Sequence, residues 1–143
     1  MRKLKLLAAA SALAASGSVF AGVFHTECYA ESSCSEVAAP LVTDAFTDRF
    51  PHKKWSLYVH ASVLTLPDKV VCFGVAGVVP RGSGQMPANR YSHTRVFDGA
   101  KHSITPGERM EYESKCIHGA VSSMMSARPD NMYIANINVT RGK

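Results

Sequence analysis

The sequence predicts an α+β fold: a two-layer sandwich in which two helices cover one face of a small, mostly antiparallel sheet. Three observations predict this class. Two stretches repeat apolar residues every three to four positions, one long stretch alternates apolar and polar residues, and four cysteines are available to stabilise the product. The expected element order is α-β-β-β-α-β.

The amino-terminal segment has the features of an export signal. A basic start is followed by an apolar stretch over 6–15 and by a small-residue cleavage box that ends at Ala21. The apolar stretch is too short to cross a bilayer core, which takes about 20 residues, so we expect no stable membrane anchor. The sequence therefore predicts a cleaved signal peptide over 1–21, a single mature domain over 22–143, and a periplasmic or secreted protein.

The first helix is predicted from the apolar residues that recur between Val37 and Phe50. Ser33 and Glu36, just before them, have the spacing of a capping box. Pro40 has no amide proton to donate, so the helix can start at any of several positions around it. Pro51 disfavours the helical conformation at Phe50 and ends the helix there.

A hairpin is predicted next. Residues 55–66 alternate between apolar and polar side chains, which indicates a strand with one solvent-exposed face. Residues 67–69 are typical of a turn. The β-branched run over 70–79 predicts a second, more deeply buried strand. Gly74 and Gly77 interrupt this run, and glycine within a strand indicates a bulge or the close approach of another element.

The stretch over 80–90 contains two prolines and two glycines and predicts an exposed loop, followed by a short third strand over 91–97. Thr105 and Glu108 have capping-box spacing around Pro106 and predict the second helix. Its expected buried residues are Met110, Ile117, Val121 and Met124. The alternation over 132–139 predicts a final strand.

The cysteines are expected to form disulfides, because an exported protein matures in an oxidising compartment. Cys28 and Cys34 flank a short polar stretch, whereas Cys72 and Cys116 occupy interior positions of a strand and a helix. We favour Cys28 with Cys34 and Cys72 with Cys116, and the crossed pairings stay open. The spacings match no zinc motif and no redox Cys-x-x-Cys motif, so we expect neither a metal nor a cofactor.

The charge of the chain argues against nucleic-acid binding. Three of its 16 basic residues leave with the signal, and against 11 acidic residues the mature chain keeps a net charge of +2. The remaining basic residues are scattered along the chain, whereas nucleic-acid binders concentrate them in a patch.

No complete catalytic motif is present, which favours a non-enzymatic protein. The sharpest enzymatic alternative is a small secreted hydrolase of ribonuclease type, in which His93 and His102 act as acid and base beside Arg95 or Lys101.

The loop over 80–90 is the best candidate for a binding site, although a mere connector is an equal alternative. Its candidate contact residues are Arg81, Gln85, Met86 and Arg90, and arginine and methionine are enriched at protein interfaces. The leading hypothesis is an exported binding protein of the inhibitor or immunity type, which acts on a protein partner through this loop and a sheet face. A structural adaptor of the cell envelope is a further alternative.

Overall fold

The structure is a computed structural model that describes residues 24–98 and 103–127. Its strands are β1 (Thr26–Tyr29), β2 (Trp55–Thr65), β3 (Lys69–Pro80) and β4 (Tyr91–Asp98). Its helices are α1 (Cys34–Ala38), α2 (Asp44–Arg49) and α3 (Pro106–Met125), with a 3₁₀ turn over Ala39–Leu41. The predicted α+β class is confirmed. The signal peptide, His102 and the strand expected over 132–139 lie outside the described residues.

The described strands form one sheet in the order β1-β2-β3-β4. β2 and β3 form the predicted hairpin, in register from Trp55 opposite Pro80 to Thr65 opposite Val70, and β4 runs antiparallel to β3. β1 is parallel to β2 and makes the sheet mixed. β1 was not predicted, because four residues are too few to show an alternating pattern.

The single amphipathic helix expected between Val37 and Phe50 is wrong. The chain forms α1, then the 3₁₀ turn that contains Pro40, and then α2 as a separate helix. Thr43 starts α2, since its Oγ1 accepts a hydrogen bond from the amide of Phe46 at 3.3 Å. The expected capping box of Ser33 does not form, because that side chain makes no capping hydrogen bond.

The second predicted helix is α3, and its capping box is confirmed. The amide of Glu108 donates to Thr105 Oγ1 at 3.2 Å, and the amide of Thr105 donates to Glu108 Oε2 at 2.7 Å. Ile117, Val121 and Met124 are buried as expected. The expectation for Met110 is wrong, because its side chain is 42% exposed.

The contact between α3 and the sheet explains Gly74. A Cβ at this position would overlap the backbone carbonyl of Cys116, so the helix crosses β3 where there is no side chain to hold it away. The Cys72–Cys116 disulfide joins the two elements beside this crossing, and Cys28–Cys34 joins β1 to α1. Both bonds follow the favoured pairing.

The core lies between α3 and the sheet side that α3 covers. Phe46 and Phe50 extend it beyond α3, and their rings are 5.2 Å apart. The described core residues include Phe24, Cys34, Ala38, Phe46, Phe50, Leu57, Val59, Ala61, Ala76, Val78, Ile117, Ala120, Val121 and Met124. Because side chains alternate along a strand, the residues between these on β2 and β3 belong to the opposite side of the sheet.

Candidate functional site

The side of the sheet opposite α3, called the open face below, is the candidate site. Residues that stand opposite each other on neighbouring strands form rows across this face. Tyr58 stands opposite Gly77, Ser62 opposite Phe73, and Leu64 opposite Val71. β1 contributes Glu27 and Tyr29, which stand opposite Tyr58 and His60, and β4 contributes Thr94 and Val96, which stand opposite Phe73 and Val71.

The 81–90 loop folds back onto the open face. Pro87 is buried, and a Cβ at Gly77 would overlap its ring, so the absence of a side chain at Gly77 makes room for the loop. Ser56 and Tyr58 are buried as well, with exposed fractions of 0% and 5%. The expectation that this face of β2 is exposed to solvent is therefore wrong over the first half of the strand.

The other end of the loop is fixed by hydrogen bonds. The amide of Gly82 donates to Glu27 Oε1 at 3.1 Å, which joins the loop to β1. The amide of Arg81 donates to the carbonyl of Lys54 at 2.9 Å, and its Nη1 donates to the carbonyl of His52 at 3.3 Å. With Pro87 seated on the sheet, the loop is held at both ends.

Two tyrosines lie on the open face. The ring of Tyr29 is 5.1 Å from that of Tyr58 and is inclined to it by 32°, and Tyr29 is 45% exposed. Burial raises the pKa of Tyr58, and the neighbouring Tyr29 raises it further, whereas the positive charge of Arg90 lowers it. Arg90, one of the predicted contact residues, is therefore close enough to Tyr58 for its charge to act on this phenol.

Further along the open face lie three exposed apolar side chains, called the apolar strip below. Leu64 is 61% exposed, Val96 is 52% exposed and Phe73 is 38% exposed. Leu64 and Val96 flank Val71 in one row, and Phe73 belongs to the adjacent row. They form a cluster on one surface, and clustered exposed apolar groups mark interaction sites more often than scattered ones do.

The remaining predicted contact residues are on the loop surface. Met86 is 58% exposed, and Gln85 is exposed while its amide donates to Ser83 Oγ at 3.3 Å. Tyr29, Phe73 and the other apolar residues of the open face were not predicted from the sequence as contact residues. The alternation of β2 and β3 placed Leu64 and Phe73 opposite the core, and that was the available signal for these two residues.

Two of the candidate catalytic residues, His93 and Arg95, belong to the side of the sheet that faces α3. The ring of His93 packs against α3, where a Cβ at Gly119 would overlap it. Arg95 is on the same side of β4 and is exposed. His102 and Lys101 lie outside the described residues, so the hypothetical acid-base pair is not tested.

Among the described residues, no group of three histidine, cysteine, aspartate or glutamate side chains is placed to hold a metal ion. The helices of this part of the chain include none that is long and apolar enough to cross a membrane. Comparison of the chain with protein-family models, curated proteins and solved structures gives no match.

Proposed function

We propose that this protein is an exported binding module of the inhibitor or immunity type, which recognises a protein partner in the periplasm or outside the cell through its open face. The supporting observation is the 81–90 loop, which is held against the same face of the sheet that carries an exposed tyrosine and the apolar strip. A location outside the reducing cytosol is supported by the two disulfides.

The composition of this surface suits a protein interface. Tyrosine, methionine and arginine are enriched in the cores of interfaces, and Tyr29, Met86 and Arg90 supply one of each. Tyr29 already packs on a buried ring, so binding orders few new degrees of freedom. The fixed loop lowers the entropic cost of association in the same way, because its backbone is placed before the partner arrives.

The test is affinity capture with the oxidised protein recovered after export, followed by affinity measurement with surface variants. We expect Tyr29→Ala and Met86→Ala each to weaken partner binding by about tenfold or more, which corresponds to about 1.4 kcal/mol. Met110→Ala is the matched control, because Met110 is comparably exposed but belongs to α3. We expect it to bind like the parent protein.

Two outcomes would contradict the proposal. One is the recovery of no partner at micromolar affinity from periplasmic and extracellular extracts. The other is a captured partner whose affinity is unchanged by both open-face variants, since binding would then use another surface.

A further inference from the structure

A shallow groove runs along the outer side of α3, remote from the open face. Its volume is about 360 Å³. It is lined by Val37 of α1, Arg95 of β4, and Glu111, Ser114, Lys115 and His118 of α3. The four α3 residues have the spacing i, i+3, i+4 and i+7, which places them on one face of the helix.

Two cations in this groove share one aromatic ring. The guanidinium carbon of Arg95 is 5.1 Å from the centroid of the Phe97 ring, and Lys115 Nζ is 5.4 Å from the same centroid. Tyr112 lies beside Phe97, with 4.5 Å between the ring centroids. The Phe97 ring attracts both positive charges, the Tyr112 ring attracts that of Lys115, and the two charges repel each other.

Of the two cations in the groove, Lys115 is paired with a carboxylate and Arg95 is not, within the described part of the chain. Glu111 Oε1 is 2.6 Å from Lys115 Nζ and neutralises this lysine. Across residues 24–98 and 103–127, no carboxylate pairs with Arg95, whose recorded contact is the ring of Phe97. An arginine that stacks through its planar face keeps its N–H edge available for an anion.

We propose that this groove binds an organic carboxylate, with the guanidinium of Arg95 as the binding group. The planar fork of a guanidinium matches the two oxygens of a carboxylate in a bidentate pair. Glu111 disfavours an anion that carries two charges, such as phosphate, because its own negative charge lies beside the binding position. Val37 offers apolar contact to the carbon skeleton of the ligand.

The carboxylate can come from a free small acid or from an acidic side chain of a peptide, and two probes distinguish these sources. N-acetylalanine, which carries a single carboxylate, represents the free acid. A short peptide with one internal glutamate and blocked ends represents the side chain, and inorganic phosphate is the comparison anion. Binding is measured by calorimetry at low salt, because exposed ion pairs are screened by salt.

We expect saturable binding of at least one carboxylate probe, with inorganic phosphate weaker than that probe. The tighter of the two probes identifies the source. Arg95→Ala should weaken binding about tenfold or more, and since Arg95 is exposed the variant should fold normally. The matched control is Arg49→Ala, which removes an arginine that also lies over a phenylalanine ring, at 6.0 Å from Phe50, but outside the groove.

Three results would overturn the inference. The first is that neither carboxylate probe shows saturable binding at millimolar concentration, and the second is that phosphate binds more tightly than both probes. The third is that Arg95→Ala and Arg49→Ala lose probe affinity equally. None of these results bears on the open face, so this inference can fail while the proposed function stands.

Discussion

The surroundings of Tyr58 on the open face raise the pKa of its phenol. Burial is the largest cause of its raised pKa, followed by Tyr29, while Arg90 opposes the shift and Glu27 adds to it. Burial also raises the pKa of Tyr91. In both cases the folded protein favours the neutral phenol.

The raised pKa of Tyr58 predicts a loss of stability in alkali. A group whose pKa is higher in the folded state contributes fully below its unfolded pKa, here 10.0, and its contribution is lost as the pH rises through the folded value. We expect the free energy of unfolding to fall above about pH 10, and to fall less steeply in Tyr58→Phe. Chemical denaturation across this pH range, with phenolate absorbance followed in parallel, is the measurement. An identical pH dependence in the variant and the parent would contradict the assignment.

Single residues were predicted well where the local structure requires a particular residue type, such as glycine at a close approach or a capping residue at a helix start. Gly74 and Gly77 signalled the close approach of other elements, and Thr105 with Glu108 signalled the start of α3. Residues whose environment is built by distant parts of the chain were missed. Glu113 is an example, because it is buried and its Oε2 accepts a hydrogen bond from the amide of Ser32, 81 positions earlier, at 2.9 Å.

The packing of α3 on β3 is the contact between elements that organises the fold. The carbonyl of Cys116 occupies the space that a side chain at position 74 would need, and the backbone amide of Ile117 lies near the same point. Backbone atoms cannot move aside as a flexible side chain can. A side chain added here must therefore shift the helix as a whole.

We predict that Gly74→Ala destabilises the protein by about 1–3 kcal/mol, because it overpacks the interface between the helix and the sheet. Gly107→Ala is the matched control, since a Cβ there would meet only Thr105 Oγ1, at 4.0 Å. This control should be neutral or stabilising by up to about 1 kcal/mol, because alanine is the better helix former. Urea denaturation of both variants gives the comparison. Equal stability of the two variants would show that the close approach is absent.

Whole elements were predicted correctly where a long pattern matched one uninterrupted element, and wrongly where the pattern ran across a break or was too short. The hairpin of β2 and β3 and the helix α3 followed from 10 or more patterned residues. The region before β2 was interpreted as one helix, because its apolar spacing continues through Pro40 although the helical backbone does not. β1 depends on its parallel pairing with β2, which no local pattern of four residues can indicate.

At the scale of the whole molecule, two disulfides hold the frame that carries the open face. Cys72–Cys116 closes a separation of 44 residues and Cys28–Cys34 closes one of 6. Restriction of the unfolded chain gives stabilisations of about 4 and about 2 kcal/mol. The longer bridge fixes α3 to the sheet, and the shorter one fixes β1, which carries Tyr29, to α1.

The sequence predicted this frame better than it predicted the surface on it. The favoured cysteine pairing followed from one local pair and two interior positions, and it matches the structure. The open face was predicted only in part, because the seating of the 81–90 loop on Gly77 depends on the finished sheet. A loop sequence alone does not reveal the surface onto which it folds.

We propose that the chain is exported and folds as an oxidised frame that presents a preformed binding face. Peptide mapping by mass spectrometry, without reduction, of protein recovered from its producing cells is the decisive test. We predict an amino terminus at Gly22 and two linked peptide pairs, one containing Cys28 with Cys34 and the other containing Cys72 with Cys116. An intact Met1 together with four free thiols would contradict the account.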